Sequence, residues 1–202
     1  MRLHSLGGIG VGLHRLPAIA VAVFCVQLLV GWTSGSLNAS PPIVIVSQPV
    51  YTGWRVPSSS MEPTLHCAKP APGCEARYAD KPLVGPLSSP PKRGDILVFR
   101  NPPLARLRCG ASGSFIKRLV GLPGEIVSER DGYLFINGKK LAEPYIKANR
   151  RDNEPPRTWA RIRAAHYFVV GDNRAQSCDS RIWGTVPRRN IRGAVTKVYR
   201  QK

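Results

Sequence analysis

The chain has 202 residues, which suits one domain with an appendage and excludes a large multidomain assembly. Apolar residues make up 43 % and charged residues 21 %, enough to build a core and against intrinsic disorder, while 19 Gly and 19 Pro imply many turns. Thirty Lys and Arg against 12 Asp and Glu leave a net charge of +18, so an anionic partner is expected, nucleic acid and acidic phospholipid both qualifying.

The charges are unevenly placed. No acidic residue precedes Glu62, and between Leu16 and Trp54 there is no charge of either sign. Residues 16–32 (LPAIAVAVFCVQLLVGW) are nearly all apolar and reach the lower limit of about 17 residues for a membrane span; the uncharged residues 33–37 extend it. A transmembrane anchor is therefore expected over 16–37. Arg2, His4, His14 and Arg15 precede it and Arg55 is the first charge after it, so the positive-inside bias puts 1–15 in the cytoplasm and 38–202 outside the cell membrane. A cleaved signal peptide is the alternative, with Ser34-Gly35-Ser36 as a small-x-small site, but the apolar run is longer than the roughly 7 to 15 residues usual there, which favours retention.

Cys25 lies in the apolar run, leaving Cys67, Cys74, Cys109 and Cys178 in a setting where disulfides persist. Four cysteines allow three pairings, and the short loop between Cys67 and Cys74 suits a local bridge. The absence of any Cys-x-x-Cys pair argues against zinc, and no metal is expected.

Beyond the anchor the pattern is one of short strands. Residues 43–46, 96–99, 115–120, 133–136, 167–170 and 194–199 are rich in β-branched and aromatic residues, and Asn137-Gly138 is a strong hairpin signal. No sustained helical periodicity occurs outside the anchor. The expectation is a mostly β, barrel-like extracytoplasmic domain behind one N-terminal transmembrane helix, with 69–92 and 149–157 as loops.

Three segments stand out by chemistry. SSSMEPTL (58–65) sets a serine cluster between prolines that stiffen the backbone; alone it reads as a hydrophilic turn. FIKRLVGLPGE (115–125) embeds Lys117 in an apolar strand, where a lysine can simply snorkel to solvent. GDNRAQSCDSRIWGTVP (171–187) alone reads as a polar surface turn with ion pairs.

Taken together, in this order behind an anchor, the three segments resemble the signature segments of type I signal peptidases, the Ser/Lys membrane proteases. RGDILVF (93–99) and the hairpin at Asn137-Gly138 share the likeness, which covers nearly all of 55–200. The resemblance implies roles residue by residue. Ser60 matches the nucleophile, which needs a neighbouring base to take its proton. Lys117 matches that base and must be desolvated to be neutral, with Phe115, Ile116, Leu119 and Val120 supplying apolar surroundings. Ser58 matches the hydroxyl that joins the Ser60 backbone N–H in an oxyanion hole. Ser177 matches the serine that orients the lysine, and Asp179 and Arg181 match a supporting ion pair. Cys178, directly after Ser177, departs from the pattern, and so does the insertion from Cys67 to Cys74, which is expected to reshape one wall of the cleft.

Rival schemes fit less well. A Ser-His-Asp triad has only His66 and His166 to draw on, and His166 begins an apolar strand. Ser-x-x-Lys occurs at Ser89 to Lys92 and Ser114 to Lys117, without the partner motifs of penicillin-binding enzymes.

The implied function is removal of signal peptides from exported precursors, without cofactor, with small substrate side chains one and three residues before the cut. Precursors and membrane lipid are the implied partners, with residues 43–46 and Trp54 as candidate membrane-facing groups. A specialised relative maturing pilin or conjugation proteins would share the same residues. A non-enzymatic basic module is the other class; nucleic acid is not expected as its partner, since aromatic residues for stacking make up only 7 %.

Overall fold

The computed structural model describes residues 52–200 apart from Ser88 and Ala111. The expected anchor at 16–37 and strand at 43–46 lie outside the described residues. Among the described residues no helix is long and apolar enough to cross a membrane.

The domain is mostly β. Its strands are β1 (Thr52–Gly53), β2 (Lys81–Gly85), β3 (Ile96–Arg100), β4 (Ser114–Gly121), β5 (Val127–Arg130), β6 (Tyr133–Ile136), β7 (Lys139–Lys140), β8 (Arg157–Thr158), β9 (His166–Val170), β10 (Val186–Pro187) and β11 (Ile191–Tyr199). Two short helices accompany them, α1 (Pro103–Cys109) and α2 (Ser180–Trp183). A seven-stranded antiparallel sheet runs β1-β2-β11-β3-β4-β9-β10, and a four-stranded one runs β7-β6-β5-β8. The larger sheet ends in β1 on one side and β10 on the other, so the described strands form an open sheet instead of a closed barrel.

Register shifts in β11, on either side of Gly193 to Val195, and in β4, between Leu119 and Gly121, bend that sheet in the way bulges do. Two glycines permit the bends. A Cβ at Gly121 would press into Ile162, Phe168 and Val127, and one at Gly193 would strike the Gly85 carbonyl oxygen. The sheet's concave packing is divided among three apolar clusters. Leu97, Phe99, Leu119, Val169 and Trp183 form one; Val56, Met61, Leu65, Val98 and Ile116 form the second; Val120, Val127, Leu134 and Phe168 join the two sheets in the third.

The expected strands at 96–99, 115–120, 133–136, 167–170 and 194–199 all form, some extended by a few residues. Asn137 (φ 50°) and Gly138 (φ 82°) turn β6 into β7 with both central residues at positive φ, the requirement of a type I′ hairpin. The expected loop at 69–92 is corrected, because it contains β2, which lies between β1 and β11. Pro82 masked it. Its carbonyl oxygen accepts from the Trp54 N–H at 3.0 Å, so its missing donor also faces the two-residue β1 and costs the ladder to β11 nothing. Helix α1 was equally hidden. Seven residues are too few for periodicity, but Pro103 at its start and Gly110 (φ 64°) at its end are the terminal residues helices favour. The segment 149–157 is an irregular connection with a 3-10 turn at Ala148–Arg150, yet ion pairs from Arg150 to Glu75 and from Arg181 to Asp152 tie it down.

Candidate active site

Ser60 sits in a single 3-10 turn, Ser59–Met61, that follows the extended Ser58. Its place is fixed from across the chain. The Asn173 N–H donates to the Ser60 carbonyl oxygen (3.1 Å), Asn173 Nδ2 donates to the Ser59 carbonyl oxygen (3.1 Å), and Ser59 Oγ donates to Gln176 Oε1 (3.0 Å). Gly171 allows this approach, since a Cβ there would collide with the Ser60 carbonyl oxygen and with Ser177 Oγ.

Lys117 lies on β4, paired with Leu97 of β3, in the middle of the larger sheet. It is 4 % exposed, and its Nζ is 2.6 Å from Ser60 Oγ, 57 residues away in sequence. The Phe115 ring centroid lies 5.3 Å from the amine. Burial pushes the Lys117 amine down from 10.5 to about 8, against the charges of Asp179 and Asp172, which raise it, and with that of Arg181, which lowers it further. Ser58 Oγ donates to Ser60 Oγ at 3.2 Å. Ser58, Ser60 and Lys117 line one cleft with Trp54, Val56, Pro57, Met61, Phe115 and Ile116, an apolar trough with the hydroxyls and the amine at one place in it. Trp54 is half-buried and part of this lining.

Ser177 follows the 3-10 turn Arg174–Gln176 and is buried beside this group, but no hydrogen bond joins its hydroxyl to Lys117. The hydroxyl is turned toward Asp179 without reaching hydrogen-bond geometry. Asp179 caps α2 by accepting from the Arg181 N–H (3.1 Å), accepts from the Gly171 N–H (3.1 Å), and holds the Arg181 guanidinium through Nε (2.9 Å) and Nη2 (3.0 Å). Burial would raise this carboxyl, but Arg181 holds it below its usual range. Burial likewise opposes the charge on Arg181, and Asp179, Glu129 and Asp152 outweigh it, leaving the guanidinium raised.

Asp172 and Asn173, which carry no local sequence signal of a role beyond their position in the chain, belong to the same group. Asp172 is fully buried, accepts from Arg118 at Nε (2.9 Å) and Nη2 (2.6 Å) and from Thr64 Oγ1 (2.5 Å), and contributes to the field at Lys117. Asn173 clamps the serine turn. Both stand in the same polar segment as Ser177, immediately after the buried strand β9, and that position was the available signal.

The bridges are Cys67 to Cys74 and Cys109 to Cys178. The first does not itself line the cleft, but it packs in one apolar cluster with Val56 and Met61, which do. Its loop packs behind the serine turn, where Gly73 (φ 75°) touches Ser59 and Gln176. The second ties the end of α1 to the residue after Ser177.

His66 Nδ1 meets Glu62 Oε2 at 2.6 Å and His166 Nδ1 meets the Ala164 carbonyl oxygen at 2.9 Å, so neither is paired with a serine hydroxyl among the described residues. Glu62, His66 and Glu75 bring potential ligand atoms within 4.8 Å, but the Glu62 carboxylate is already taken up by His66 and the Cys67 and Glu75 N–H groups.

The family model described as "Signal peptidase, peptidase S26" matches residues 29–200. Signal peptidase I of Leptolyngbya laminosa is 39 % identical over 144 residues, covering 68 % of this chain and 63 % of that protein. Signal peptidase I T of Bacillus subtilis (strain 168) is 34 % identical over 159 residues, 74 % of each chain. A crystal structure of a signal peptidase I from Enterococcus faecalis V583 is 36 % identical, with a TM-score of 0.45, covering 54 % of this chain and 98 % of that one. The match covers about three-fifths of the first curated relatives, 63 % of one and 58 % of the next. With the family model spanning most of its length, the chain belongs to the signal peptidases of peptidase family S26.

Proposed function

We propose that this chain is a serine endopeptidase that removes signal peptides from exported precursors with Ser60 as nucleophile and Lys117 as general base. The single observation that carries the reading is the buried amine 2.6 Å from a serine hydroxyl at the floor of an apolar cleft. A lysine held near 8 is neutral in roughly one molecule in ten at pH 7, against about one in several thousand for a free lysine, so far more of the base is available although each amine is a weaker base.

In the proposed reaction the peptide carbonyl lies over Ser60, and Lys117 Nζ takes the Oγ proton as Oγ attacks. The oxyanion is met by the Ser60 N–H and by Ser58 Oγ, which turns from its bond to Ser60; losing one such donor costs on the order of 3 kcal/mol of transition-state stabilisation. Lys117 then protonates the leaving amine, and the acyl-enzyme is hydrolysed by a water that Lys117 activates. Ser177, buried with its hydroxyl unpaired, is assigned as the residue that orients the lysine. Asp179 and Arg181 keep that turn in place. The apolar trough suits small side chains ahead of the cut, and residues 16–37 are assigned as the anchor that holds the domain on the outer face of the cell membrane, with residues 1–15 inside.

The test is incubation of the full chain with a secretory precursor and mass analysis of the products. A single cut at the end of the signal peptide is expected, with Ser60→Ala and Lys117→Ala each losing at least about a thousandfold in kcat/KM. Cleavage that persists in either variant, or that is lost in EDTA and restored by zinc, overturns the dyad.

A further inference from the structure

The cleft does not end at the dyad. Arg192 lines it and also lines a neighbouring cavity together with Arg100 and Arg106. Arg100 ends β3, Arg106 lies in the last turn of α1, and Arg192 sits at the shift of register where Ile191 pairs with Phe99. All three are exposed, and none of their guanidinium groups has a hydrogen bond or ion pair among the described residues. Among the described residues no carboxylate lines either cavity.

Three like charges facing one cavity repel one another, and folding gains nothing from them there. Several arginines elsewhere in the chain are matched, Arg93 with Glu125, Arg118 with Asp172, Arg150 with Glu75, and Arg157 with Glu129. A set left without counterions beside a peptide-binding cleft suits a ligand that brings its own negative charge, and a guanidinium fork favours a carboxylate. Because Arg192 belongs to both cavities, a chain lying in the cleft delivers its flanking residue to this pocket. A membrane headgroup is under no such constraint.

We propose that Arg100, Arg106 and Arg192 form a subsite for an acidic side chain flanking the cut, which makes the enzyme selective for precursors acidic on that flank. The inference rests on the Ser60–Lys117 reading, and its test separates the two. Peptides that differ only in carrying Glu, Gln or Lys at successive positions on either side of the cut are offered to the full chain in neutral detergent. We expect Glu at adjacent positions on one side to raise kcat/KM about three- to tenfold over Gln, and Lys to lower it. High salt should erase the preference, and so should the Arg100→Gln/Arg106→Gln double variant, with the Gln peptide cut at the same rate by both proteins. Equal cleavage of Glu and Gln peptides by the unaltered chain overturns the subsite, as does a preference that survives in the double variant. Binding of the same peptides to Ser60→Ala, read by fluorescence anisotropy, is independent of chemistry. A Glu preference in binding without cleavage by the parent chain supports the subsite and refutes the dyad, and peptides bound without regard to charge while anionic vesicles bind through Arg100 and Arg106 overturn it in favour of lipid.

Discussion

Behind the dyad, Arg174 and Arg181 are buried and paired with carboxylates, whereas Arg100, Arg106 and Arg192 beside the cleft are exposed and meet none among the described residues. The difference follows from where the charge is kept. A guanidinium inside the protein must be matched, because an unpaired buried ion costs several kcal/mol, so Arg181 is surrounded by Asp179, Glu129 and Asp152, and Arg174 by Glu143. An exposed one can remain unmatched and wait for a partner. The two regions also act on Lys117 in different ways. Burial lowers its affinity for a proton most and Arg181 acts in the same direction, and together they outweigh Asp179 and Asp172, which raise it. The rear network thus holds the serine turn and sets the field at the amine, and the front cluster is left to deal with what enters the cleft.

Breaking the rear network should have the largest effect. Arg181→Ala leaves three acidic groups facing each other and should cost about 3 to 5 kcal/mol, seen as a fall of about 10 °C or more in the thermal unfolding midpoint; an unchanged midpoint would show that the ion cluster is incidental. Next comes the bridge that fastens the same turn to α1. The Cys109→Ser/Cys178→Ser variant opens a link across 69 residues and should lose about 2 to 4 kcal/mol in denaturant unfolding, with activity falling further than stability, because Ser177 loses its brace. Asp172→Asn sharpens the electrostatic side of the comparison. Its negative charge raises the Lys117 pKa, so neutralising it should move the acid limb of the kcat/KM profile to lower pH, by less than about one unit; a shift to higher pH would contradict the assignment. At the front, Arg106→Gln should change stability by no more than about 0.5 kcal/mol, since the exposed guanidinium has no hydrogen bond or ion pair among the described residues.

The strands carrying the site were legible because they are buried and β-branched: 96–99 and 115–120 form the centre of the sheet, and Lys117 stands out as a charge within an apolar run. The grouping of Ser58, Ser60 and Lys117 could be expected from a resemblance spread over three segments, whereas any one of them alone reads as a turn or a snorkelling side chain. Other features were hidden for physical reasons. Pro82 hides β2 because only its missing donor faces the short edge strand, and α1 is too short for periodicity to appear. The clamp from Asn173 and the role of Asp172 depend on contacts across more than 50 residues, which local pattern does not contain. The unmatched arginines were present in the sequence as part of a net charge of +18, but only the folded chain sorts them from the paired ones.

The central claim is that a buried amine that gives up its proton near pH 8 activates Ser60, and the pH dependence of kcat/KM for a single precursor peptide tests it most directly. Because the free enzyme must lose the Lys117 proton before it can act, the rate should climb from acid toward alkaline pH and level off above an apparent pKa near 8. A profile with its maximum below about pH 6 would contradict the account.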